Sequence, residues 1–150
     1  MPRFPASHTL LQNGRVGQTI DVVGAVIVQN GLVYCVRRGP DGSLPGMWEF
    51  PGGKIEPGED GESALVREIQ EELLCDVQVG QKIASTPHKY DFGTVRLTTY
   101  YCDLVAGQPT LTEHAGELWV QPDQLTDLNW APADVPAVEA VVRHMTATKE

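Results

Sequence analysis

Glu68, Glu71 and Glu72 fall at i, i+3 and i+4 of residues 61–74, a stretch in which Leu65, Ile69 and Leu73 recur every fourth residue. In a helix that spacing gathers the three carboxylates on one face, opposite the three apolar side chains. A merely solvated acidic face is inexpensive, since each like-charge pair costs about 0.2–0.5 kcal/mol and Arg67 can relieve Glu71 at i+4. Clustered carboxylates are also the donor set of a hard divalent cation, which presents positive charge to phosphate oxygens. The acidity extends upstream through Glu56, Glu59, Asp60 and Glu62, with only Lys54 and Arg67 to balance it after the Gly52-Gly53 turn. Asp60 can cap the helix start, and Glu62 is favourable near the positive end of its dipole.

The elements that must position these side chains follow from periodicity. Residues 22–28 and 32–38 are β-rich runs joined by Asn30-Gly31, which supplies the positive φ angles of a tight hairpin turn. Residues 39–46 are rich in turn formers, and a short strand at Trp48 stops at Pro51-Gly52-Gly53, after which a loop is expected. Residues 76–85, 94–105 and 116–121 read as further strands, and Pro122 starts a helical turn. Residues 131–145 form a second helix, with Val138, Val141 and Val142 on its apolar face. The order predicts an α/β fold with a mixed sheet between helices, residues 21–150 forming the domain and residues 1–20 an N-terminal arm or edge segment.

Twenty acidic against eleven basic residues give a formal charge of −9 on 150 residues, which argues against tracking a nucleic-acid polymer. The chain is long enough for one domain. Cys35, Cys75 and Cys102 are odd in number and stand in apolar surroundings, so they are expected to be reduced core residues. No apolar run is long enough to span a bilayer, and the first residues have no secretory h-region, so no membrane association and a cytoplasmic location are expected. His8, His88, His114 and His144 lack ligand spacing and read as surface or structural. Trp119 and Trp130 read as core residues.

Gly53, five residues, Glu59, seven residues, then Arg67-Glu68-Ile69-x-Glu71-Glu72 resembles the signature of the Nudix hydrolases. All five charged positions of that motif are met. Leu74 replaces its glycine, however, and Cys75 stands at its last aliphatic position. Leucine in a left-handed conformation costs about 1–2 kcal/mol, so the helix is expected to run on slightly. Arg38 to Gly46 leading into Trp48 to Lys54, Glu113 to Trp119, and Ala131-Pro132-Ala133-Asp134 extend the resemblance toward the MutT-like branch.

The resemblance implies an α/β/α sandwich and a Mg²⁺- or Mn²⁺-dependent enzyme that hydrolyses a small-molecule nucleotide at a phosphoric anhydride bond, as a monomer or homodimer. It implies metal binding by Glu72 most directly, by Glu68 and Glu71, and by the Gly52 carbonyl. Glu68 or its rival Glu71 is the implied general base, Glu59 beside Gly53 braces the loop, and Arg67 holds the glutamates in place. Glu113 aligns with an additional metal carboxylate; otherwise it is a surface glutamate. Arg38 aligns with a phosphate-binding arginine, and Lys54 either reaches a phosphate or points into water. Phe50 and Asp134 align with the base pocket, their alternatives being a core aromatic and a helix cap. In the MutT-like branch the products are a nucleoside monophosphate and pyrophosphate, with 8-oxo-dGTP and (d)CTP-type nucleotides as the expected substrates. ADP-ribose or nucleotide-sugar hydrolysis, and a non-catalytic nucleotide sensor, are the alternatives.

Overall fold

The computed structural model describes residues 18–147. Seven strands run β1 (Thr19–Gln29), β2 (Leu32–Arg37), β3 (Trp48–Glu49), β4 (Gly52–Lys54), β5 (Asp76–Tyr90), β6 (Gly93–Ala106) and β7 (Gly116–Val120). Helix α1 (Gly61–Leu73) lies between β4 and β5, and α2 (Val135–Ala147) follows two 3-10 turns, Pro122–Asp127 and Pro132–Asp134.

The β1–β2 hairpin turns at Asn30 and Gly31, both at positive φ, and pairs Gln29 with Leu32. On its other edge β1 runs parallel to β6 from Thr19 to Ile27, and β5 closes that side antiparallel to β6. The sheet is therefore mixed. Its two faces explain the nearly unbroken apolar run of β1: Val23, Ala25 and Ile27 pack with Leu65, Ile69 and Leu73 of α1. Val26 joins Val33, Cys35 and Phe50 against Ala137, Val138 and Val141 of α2. Successive strand side chains point to opposite faces, so one strand feeds both cores. All three cysteines are buried and free.

Several boundaries depart from the sequence expectation. β1 begins at Thr19, two residues inside the expected arm, and Ile20 is buried; residues 1–17, with His8, lie outside the described residues. Residues 52–54, expected to open a loop, instead form β4 and pair with Val22 to Gly24 of β1. Gly52 allows this, because a β-carbon there would collide with the backbone oxygen of Val23. β5 continues through Pro87 to Tyr90; an edge strand tolerates proline, whose missing N–H faces outward.

The helix exit is a further correction. α1 does not run on: Leu74 itself takes the left-handed conformation (φ 55°, ψ 37°), and its N–H donates to Gln70 O at 3.1 Å. The terminal carbonyls are met from the loop after β6, since Thr110 N donates to Leu73 O (2.8 Å) and Thr112 Oγ1 to Glu72 O (2.7 Å). A helix end whose orphan carbonyls are satisfied by tertiary partners can stop without glycine. Among the described residues, no helix is long and apolar enough to cross a membrane.

Candidate active site

Asp60 caps α1, its Oδ1 accepting from Ser63 N at 2.7 Å, which fixes where the helix starts and hence which face its carboxylates share. Arg67 organises that face. Its Nε and Nη2 donate to the two oxygens of Glu59 (2.6 and 2.9 Å), Nη1 donates to Glu68 (3.1 Å) and Glu71 (3.3 Å), and Nη2 also reaches Lys54 O at 3.1 Å. Glu59 Oε1 also accepts from Glu56 N at 2.9 Å. The forked, charge-assisted pair joins the loop after β4 to the middle of α1. Hydrogen bonds from Arg67, then from the Glu56 backbone, lower the Glu59 carboxyl to about 2.

Glu68 occupies the space that a side chain at position 53 would fill: a β-carbon on Gly53 would overlap its carboxyl group. The adjacent glycines thus have separate duties, Gly52 toward the β1 backbone and Gly53 toward Glu68. Glu72 departs from the expected face opposite the apolar one: seven residues after Leu65, it lies on nearly the same side of the helix and is only 2% exposed, with both carboxylate oxygens out of solvent. The side chain of Glu71 is 60% exposed. Glu113 is exposed on the loop after β6, next to Thr112, whose hydroxyl is bonded to Glu72 O. Carboxylates with nearby backbone carbonyls are the donors that Mg²⁺ or Mn²⁺ takes, and the Gly53 cradle sets one of them beside β4. Among the described residues no three acidic, His or Cys side chains are already drawn to metal-holding positions. The fit rests on donor type and on the cradle.

β4, which carries the Gly53 cradle of Glu68, also forms part of the wall of an open cleft. Gly52, Gly53 and Lys54 line one end of the cleft; Glu49, Phe50 and Asp134 line the other. Asp134 Oδ2 accepts from Phe50 N at 2.9 Å, so the carboxylate bonds across the sheet rather than capping α2. Its turn is held by Tyr90, whose hydroxyl oxygen accepts from Ala133 N at 3.0 Å. Burial, reinforced by the nearby Glu49 charge, raises the Asp134 carboxyl well above its ordinary range, against the lowering effects of the Phe50 N–H and Arg38. Phe50 is buried against Trp130, with ring centroids 4.7 Å apart.

Arg38 lies behind this end, its Nη1 donating to Glu49 Oε1 (2.9 Å) and its Nε to Ser43 O (2.8 Å). Two residues here carry more than the sequence suggested. Glu49 stood unremarked between two aromatics, and His114, read as surface or structural, is buried with Nε2 2.9 Å from Glu49 Oε2. A lone glutamate in an apolar strand was the available signal, because a buried carboxylate requires partners.

Comparison with known proteins adds four findings. A family model described as the NUDIX domain matches residues 22–140. The CTP pyrophosphohydrolase of Escherichia coli K12 is 35% identical over 121 residues, 81% of this chain and 90% of that protein. A putative 8-oxo-dGTP diphosphatase 2 of Mycobacterium tuberculosis is 36% identical over 116 residues, 75% of this chain and 81% of that protein. Among solved structures, the MutT protein of methicillin-resistant Staphylococcus aureus 252, a Nudix hydrolase, superposes with a TM-score of 0.72 at 51% identity, covering 85% of this chain and 98% of that one.

Proposed function

The chain belongs to the Nudix family of hydrolases, and from that premise we propose that it is a Mg²⁺- or Mn²⁺-dependent nucleoside triphosphate pyrophosphohydrolase acting on (d)CTP-type nucleotides or 8-oxo-dGTP. The observation that carries the reading is the cleft lined by β4 and by buried Asp134, with Glu68 of the acidic helix packed against Gly53 of that β4 wall. Triphosphate and base have separate places in it. Asp134 can accept from a cytosine amine or from the N–H edge of a guanine, or donate when protonated, which suits both substrate classes.

In this reading Glu68, Glu71 and Glu72, with Glu113 and the Gly52 carbonyl, would hold the cation, which when bound would polarise the phosphate and lower the pKa of water. Glu68 accepts the proton of the attacking water, and Arg67 keeps it and Glu71 in place. The new oxygen bonds to the β-phosphorus, and the bond from that phosphorus to the α–β bridging oxygen breaks. Nucleoside monophosphate and pyrophosphate leave. Lys54 is assigned to the phosphates, whereas Arg38, expected to join it, is bonded to Glu49 behind the Asp134 end of the cleft and is assigned to holding that carboxylate.

The test is incubation with Mg²⁺ and 8-oxo-dGTP, dCTP, 5-methyl-dCTP or ADP-ribose in ¹⁸O-water, with products resolved by chromatography and mass. Monophosphate with the label in pyrophosphate is expected from one triphosphate above the rest. Cleavage of ADP-ribose with every triphosphate left intact overturns the assignment.

A further inference from the structure

Beneath the Asp134 end of the cleft the fold buries a row of polar side chains in an otherwise apolar interior. Glu49 is 4% exposed and is held at both oxygens, Oε1 by Arg38 Nη1 and Oε2 by His114 Nε2, each at 2.9 Å. A carboxylate only accepts, so Nε2 carries the hydrogen of that contact. The other ring nitrogen, Nδ1, is buried with no hydrogen-bond partner among the described residues. Among the described residues, Glu49 is thus the sole polar contact of the His114 ring.

Stability alone does not account for this arrangement. Taking charged groups out of water costs several kcal/mol per ion, and apolar packing of similar volume is often at least as stable. Nor is the ring needed to seat its own loop. Three bonds do that independently: Thr110 N to Leu73 O (2.8 Å), Thr112 Oγ1 to Glu72 O (2.7 Å) and Ala115 N to Arg37 O (2.9 Å). Glu49 borders the cleft and His114 does not, so the ring acts on a ligand only through Glu49.

We propose that His114 is a positioning residue for nucleoside binding, fixing one oxygen of Glu49 while Arg38 fixes the other, so that the carboxylate faces the cleft in one orientation. The ligand class is a nucleoside with an N–H donor edge, and the inference rests on the nucleotide reading of the cleft. Charge-assisted bonds on both oxygens leave the carboxylate little freedom to turn, and a pre-oriented acceptor avoids the ordering cost that a mobile one bears at binding.

The test needs no turnover. Calorimetry measures binding of dCMP and 8-oxo-dGMP, and separately of pyrophosphate with Mn²⁺, to the wild type, His114→Leu and His114→Gln. Leucine is expected to weaken binding of the better monophosphate by about tenfold or more, as loss of a supporting partner does elsewhere, while leaving pyrophosphate binding unchanged. Glutamine, whose amide nitrogen can donate where Nε2 did, restores most of the loss. If the leucine variant fails to fold, His114→Asn replaces it, the shorter amide falling short of Oε2. Monophosphate affinity that is unchanged in the leucine or asparagine variant, a glutamine variant no better than either, equal loss of pyrophosphate binding, or a wild type that binds neither monophosphate overturns the proposal. Failure of the pyrophosphohydrolase reading looks different: a wild type that binds monophosphates yet releases no pyrophosphate from any triphosphate.

Discussion

Beside the β4 wall of the cleft Arg67 ties Glu59, Glu68 and Glu71 together within a single loop and helix, and these side chains remain in partial contact with water. At the Asp134 end, Glu49, Arg38, His114 and Asp134 come from four separate segments, and Glu49, His114 and Asp134 are buried. Solvent screens the first group, so its pairs are individually weak and its carboxylates can turn toward a cation. The second group sits in a low dielectric, where each contact is strong and each missing contact costly. The comparison teaches a division of labour that fits the proposed function: adaptable carboxylates where a cation would be bound, fixed donors and acceptors where a base would be read.

The largest effect that could break this comparison is expected at Glu72, the buried member of the acidic end. Glu72→Gln keeps the shape and removes the charge, so turnover of the best triphosphate should fall by about 10²-fold or more, the scale of a lost catalytic group. Circular dichroism should show the fold retained, since glutamine keeps the volume of the buried side chain. Undiminished turnover removes Glu72 from the cation site.

Next in size is a contrast in pH response. Asp134 binds its proton more firmly folded than unfolded, so its contribution is complete below the ordinary carboxyl range and is lost as pH rises through its elevated folded value. Asp134→Asn, which keeps an oxygen for Phe50 N, should therefore melt higher than wild type on the alkaline side, with the advantage shrinking in acid. It should also reorder the nucleotide substrates more than it slows the best one. Glu59 has the opposite sign: its lowered carboxyl contributes above the ordinary range, and that contribution fades as pH falls toward about 2. Glu59→Gln should melt lower than wild type at neutral pH and converge with it in acid. Paired melting curves across pH test both, and parallel curves for either variant remove the contrast between the two ends.

The acidic end was legible in the sequence because its side chains hang on one helix, where fixed spacing is itself geometry. The hairpin at Asn30-Gly31 and the two-faced β1 were legible for the same local reason. β4 was not, since Gly-Gly-Lys has no strand propensity and pairs only because Gly52 lets two backbones close together. Glu49 and His114 are 65 positions apart, and no local pattern links them. Their contact exists only once β3 and the loop before β7 have been brought together by pairing to β2.

The smallest expected effect concerns the exit of α1. Leu74 sits at φ 55° and is 60% exposed, so it bears the left-handed penalty with little burial to offset it. Leu74→Gly removes that penalty, about 1–2 kcal/mol, but frees the unfolded chain by about 0.5–1 kcal/mol, leaving a net gain near 0.5–1 kcal/mol. For a domain of this length the melting temperature should rise by about 1–4 °C. Turnover should not change, because Thr110 and Thr112 hold the last carbonyls of α1 through bonds that do not involve the leucine side chain. A fall in melting temperature instead shows that the leucine side chain contributes packing worth more than its strain. The exit of α1 would then support, through that packing, the loop that carries Glu113 and His114.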